Sequence, residues 1–81
     1  MKKQTQIRLE KKLAQIKKIM RLYQLSLDRS LKFRSMMNSF QDQRYEYKYY
    51  FEKMADAEVR CIELDEKISL LVSEYQLMKL Q

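Results

Sequence analysis

Glycine, proline, histidine and tryptophan are all missing from this sequence of 81 residues, and cysteine occurs once. Each absence removes a class of answer. Without glycine there is no cheap left-handed turn, and without proline no rigid break, so strand-rich folds that need several tight turns are excluded. Without histidine the chain lacks the usual general base near neutral pH and the commonest metal ligand. No glycine-rich loop can cradle a phosphate, and Cys61 alone cannot build a thiolate zinc site. The sequence therefore predicts neither an enzyme nor a protein with a cofactor or metal.

Carboxylates are the remaining candidates for chemistry. Eight of the eleven acidic residues lie between Glu46 and Glu74, where they read as a solvated helix face paired with Lys and Arg. A single cysteine cannot form an intramolecular disulfide and fits a reducing compartment. No apolar run approaches the ~20 residues needed to span a bilayer. The basic start, Met-Lys-Lys-Gln-Thr-Gln, is not followed by an apolar stretch, so it does not read as a secretory signal. These features together predict a cytoplasmic protein.

What is abundant points to helix. Lys, Leu, Gln, Glu, Met and Arg dominate, and all lose little rotamer freedom in a helix. A heptad seam runs through Tyr47, Tyr50, Met54, Ala57, Cys61, Leu64, Ile68, Leu71, Tyr75 and Met78, alternating spacings of three and four. A shorter seam in the first half joins Leu9, Leu13, Ile16, Met20, Tyr23 and Leu27. It loses register beyond Leu27, where the next positions are Ser30 and Arg34.

The fold class predicted is all-α: one domain over residues 1–81, a long antiparallel two-helix hairpin resembling a coiled coil. Helix 1 is expected over about residues 4–36, the turn at about 37–40 and helix 2 over about 40–80. Ser39 and Asp42 have capping-box spacing at this break, and Asn38 could close the preceding helix. A competing break at Ser26-Leu27-Asp28-Arg29-Ser30 would give three helices. On helix 2, Asp56 with Arg60 and Glu63 with Lys67 have the favourable order for i, i+4 ion pairs.

Charge is unevenly distributed. Residues 1–22 hold eight basic side chains and one acid, 8 − 1 = +7, while residues 45–81 hold five bases and eight acids, 5 − 8 = −3. A turn near residue 38 would make position i face roughly 76 − i, setting the basic segment beside the acidic one. Lys3, Lys11, Lys18, Arg21, Arg29 and Lys32 fall on the side of helix 1 away from its seam. That stripe could track phosphates of a nucleic acid, or be an ordinary solvated face. No helix-turn-helix, zinc-finger or RRM motif accompanies it.

The segment Arg44-Tyr45-Glu46-Tyr47-Lys48-Tyr49-Tyr50-Phe51 carries more aromatic surface than one seam can absorb. Tyr45 and Tyr49 point away from the seam, beside Arg44 and Lys48, with Phe51 on the flank. Leu22 and Leu25 belong to the outward face of helix 1, and Phe33 widens its apolar stripe. An apolar and aromatic surface rimmed by charge is the composition of a binding patch. Its occupant is either a protein partner or a second hairpin, the latter giving a homodimeric four-helix bundle.

The function expected is that of a small interaction protein: an adaptor, assembly factor or inhibitor of a larger complex. Its size and composition would also suit a regulator encoded by a phage or another mobile element. The alternative is a nucleic-acid-binding or transcription-regulatory protein using helix 1. Membrane-surface binding by helix 1 would need the apolar face that the hairpin itself uses.

Overall fold

The computed structural model describes residues 2–80, which form α1 (Lys2–Ser39) and α2 (Arg44–Leu80). The two helices pack side by side into an antiparallel hairpin with extents of 64 × 14 × 11 Å. The hairpin expected from composition and periodicity is the observed fold. Among the described residues no helix is long and apolar enough to cross a membrane.

The turn falls later than the sequence indicated, at Phe40–Gln43 rather than about 37–40. Three backbone bonds define it: Phe40 N–H to Met37 O at 3.1 Å, Gln43 N–H to Phe40 O at 3.0 Å, and Tyr47 N–H to Gln43 O at 2.9 Å. The last is the first turn of α2, which makes Gln43 its cap. Ser39 is no capping-box residue: its hydroxyl donates back to Ser35 O at 3.1 Å, inside α1. No described residue has positive φ, so this chain without glycine reverses direction at no left-handed cost. Phe40 stacks on Tyr50 with ring centroids 5.5 Å apart, pinning the turn to α2.

The seam of α2 runs as its periodicity requires. Met54, Ala57, Leu64 and Leu71 are buried, and Tyr50, Cys61, Ile68, Tyr75 and Met78 are half-buried. Only Tyr47, at the turn end, is open.

The seam of α1 differs from its expected line. Leu13 and Met20 are exposed, whereas Lys12 is half-buried and Ile19 is buried. The observed seam is Leu9, Lys12, Ile16, Ile19, Tyr23, Ser26, Ser30, Phe33, Met37 and Phe40, all buried or half-buried. It alternates threes and fours without a slip. Register is lost to a reading by hydrophobicity alone, because three residues of this seam, Lys12, Ser26 and Ser30, are polar.

Ser26 and Ser30, which suggested a third helix, therefore lie on the seam of one continuous helix. Ser30 is only 4% exposed. Ser26 lines a groove between the helices together with Ala57 of α2.

The contacts between the helices pair Phe33 with Tyr50 at 6.3 Å, Lys12 with Glu74 and Arg34 with Glu58, and Phe40 in the turn meets Tyr50. Each partner lies later on α2 than the expected 76 − i, in keeping with the later turn. The main core cluster is Ile16, Ile19, Leu64 and Leu71, with Leu22, Tyr23, Ile68, Val72 and Tyr75 packed around it. No described side chain is fully buried, as expected for a core one layer thick.

The two seam assignments predict different stabilities. Ile19→Ala should cost about 2 kcal/mol or more in urea denaturation, as for a buried large-to-small change. Met20→Ala should stay within about 0.5 kcal/mol of wild type, the range of surface substitutions. Equal losses at the two positions would restore the expected seam.

Candidate interaction site

The residues singled out from the sequence divide among three places. Arg44, Tyr45 and Lys48, all exposed in the first turns of α2, line one shallow hollow of about 330 Å³. Tyr45 is 86% exposed, the largest value among the exposed hydrophobic side chains, and it shares this hollow with two cations. Of the residues expected in one turn-end patch, only these three line it.

Tyr49 belongs to a second place. It meets Tyr50 edge-on at 5.1 Å and lies under the Lys53 ammonium, 5.5 Å from its ring centroid. Tyr49 and Phe33 also wall a groove of about 420 Å³ between the helices, floored by Ser26 and Ala57 and bordered by Arg29, Lys53, Asp56 and Arg60. The groove exists because two small seam residues meet there, leaving space that larger side chains would fill.

The third place is the core. Leu22 packs against the main cluster and is half-buried, which removes it from the outward patch. Phe33 is likewise a half-buried seam residue stacked on Tyr50, not a flank of a wider surface stripe. Both corrections follow from the shifted seam of α1. Leu25, at 58% exposure, and Phe51, at 48%, do face outward.

Electrostatics separates the helices more sharply than expected. Only two ion pairs cross between them among the described residues: Lys12 with Glu74 at 2.8 Å and Arg34 with Glu58 at 2.7 Å. The acidic stretch thus neutralises little of the basic one. Each pair is partly open to solvent, which limits its worth to below about 1 kcal/mol. On α2 the expected Asp56–Arg60 pair does not form, because Arg60 turns to Glu63 at 3.5 Å, and this also leaves Lys67 without its acid.

Lys3, Lys11, Lys18, Arg21, Arg29 and Lys32 are all exposed, and none makes an ion pair among the described residues. Five of them leave a line of unneutralised charge along α1. Arg29 differs from that stripe: it borders the groove, which Lys53, Asp56 and Arg60 also line.

One surface escaped the sequence reading. Val59, Ile62, Leu70, Leu77 and Leu80 are 53–84% exposed and lie on the side of α2 opposite its seam. With Glu66 and Ser73 they occupy positions 59, 62, 66, 70, 73, 77 and 80, spaced by threes and fours. That spacing was available as a signal, but the polar residues interrupting it and the stronger inward seam concealed it. Comparisons with protein-family models, curated proteins and solved structures found no match to the chain.

Proposed function

We propose that the protein is a small non-catalytic interaction module: a helical rod that serves as adaptor, assembly factor or inhibitor of a larger complex in the cytoplasm. The observation that carries this reading is the turn-end hollow. Tyr45 is almost fully exposed and lines the hollow together with Arg44 and Lys48. Tyr and Arg are the residue types that most often dominate interface energy, and a rigid aromatic ring loses little entropy on docking.

The matching partner surface would offer an apolar slot for the ring, rimmed by carboxylates or carbonyl oxygens for the two cations. The core continues as far as the stack of Phe40 on Tyr50, which holds this end of the rod in shape before any partner arrives. Pre-organisation of that kind lowers the cost of binding.

Affinity purification of tagged full-length protein from its native cell tests this reading. Tyr45→Ala combined with Tyr49→Ala should reduce recovery of the wild-type partner at least tenfold, the equivalent of about 1.4 kcal/mol, while far-UV circular dichroism stays helical. Undiminished recovery by the double variant would place the docking surface elsewhere.

A second reading, binding of nucleic acid along α1, is favoured by the cations that no acid neutralises. It predicts that affinity for a short DNA duplex falls steeply with salt. In the triple variant Lys11→Gln, Lys18→Gln, Arg21→Gln the slope should flatten by about 0.9 for each phosphate that is no longer neutralised. Absence of binding at low salt would remove this reading.

A further inference from the structure

The outer face of α2 is too regular to be a scatter of exposed apolar side chains. Its positions 59, 62, 66, 70, 73, 77 and 80 cover about 31 Å of helix at 1.5 Å per residue. Val59, Ile62, Leu70, Leu77 and Leu80 supply the apolar surface, at exposures of 53–84%. Glu66 and Ser73 interrupt this apolar surface, and exposed apolar patches bordered by polar residues mark interaction sites.

The stripe is also close to palindromic. In polar or apolar character, reading it from either end about a centre between Ser69 and Leu70 matches Val59 with Leu80, Ile62 with Leu77 and Glu66 with Ser73, and leaves Leu70 beside the axis opposite Ser69. A surface that reads alike in both directions suits an isologous contact with a copy of itself, in which residue i meets residue j and j meets i.

We infer that the outer face of α2 pairs antiparallel with the same face of a second copy of this chain, about a two-fold axis between Ser69 and Leu70. Charge selects this register over its competitors. Parallel pairing, or an antiparallel register centred on residue 66, would set the Glu66 carboxylate against its counterpart in the other copy. The register centred at 69/70 sets it opposite Ser73, whose hydroxyl can donate to it. A polar residue within an apolar seam commonly fixes register and orientation in this way, at some cost in stability.

On this pairing the dimer differs from the four-helix bundle expected from the sequence. Because the stripe faces directly away from α1, pairing gives a flat layer ordered α1–α2–α2–α1 and not a compact bundle. Residues 59–80 of the two copies overlap, and the turn ends project in opposite directions. A protomer 64 Å long then yields a rod of about 95 Å, allowing for the overlap at 1.5 Å per residue. The turn-end patch stays open at each tip. This inference is independent of the turn-end reading, since either surface can fail while the other stands.

Sedimentation equilibrium of the full-length protein at high micromolar concentration tests the pairing, followed by cysteine cross-linking in a Cys61→Ala background to test the register. The expected mass is twice the 10.0 kDa of one chain. Leu70→Glu should give a single-chain mass with helicity retained, whereas Leu25→Glu on α1 should leave the dimer intact. Ser69→Cys should form a disulfide-linked dimer on oxidation, as should Ile62→Cys combined with Leu77→Cys. Ile62→Cys alone should not. A wild-type mass of one chain, a dimer that survives Leu70→Glu, or efficient cross-linking by Ile62→Cys alone would overturn the inference.

Discussion

The contact between α1 and α2 is the constraint on which the rest of the molecule depends. A helical hairpin has one seam, and every face not on that seam is exposed. The core is one layer of side chains, with Ile16, Ile19, Leu64 and Leu71 at its centre. Ser26, Ser30 and Ala57 supply small side chains on the seam toward the turn. Ser26 and Ala57 line the groove between the helices. Near the turn, Phe33, Tyr50 and Phe40 restore bulk by stacking. Buried centre, small waist and aromatic end together explain why the rod is ordered along its length without glycine, proline or a disulfide.

That single seam also determines what remains free. α1 carries eleven basic and two acidic residues, 11 − 2 = +9, while α2 carries six basic and eight acidic, 6 − 8 = −2. The difference attracts the helices to one another, yet only two ion pairs cross between them among the described residues. Lys3, Lys11, Lys18, Arg21 and Lys32 stand exposed on α1 without an ion pair among the described residues, and apolar residues stand on the outer side of α2. The two sides of the rod are therefore chemically distinct: one suited to polyanions or acidic surfaces, the other to an apolar seam. The aromatic turn end forms a third surface between them.

The fold was legible in the sequence because composition and the α2 heptads pointed the same way. The α1 seam was misplaced for a specific physical reason. Leu13 and Met20 looked like seam positions because they are apolar, while Lys12, Ser26 and Ser30 looked like surface positions or breaks. A lysine can lay its alkyl stem along a seam and keep its ammonium at the edge. Lys12 does this, reaching Glu74. Serine is small enough to sit where helices approach most closely. Hydrophobicity marks such positions poorly, and strict spacing marks them well.

The candidate site was legible in part. Tyr45 with Arg44 and Lys48 came together as the aromatic excess suggested, whereas Leu22 and Phe33 moved into the core with the corrected seam. The outer stripe of α2 went unnoticed because Glu66 and Ser73 interrupt it. On this account the inner face of α2 folds the chain and the outer face joins it to a copy. Thermal unfolding across a range of protein concentrations tests that division most directly, because association stabilises by mass action. The midpoint of the wild type should rise with concentration. Leu64→Ala should lower the midpoint and keep the rise, and Leu70→Ala should remove the rise while preserving the midpoint at low concentration. A wild-type midpoint that does not change with concentration, or equal effects of the two substitutions, would contradict it.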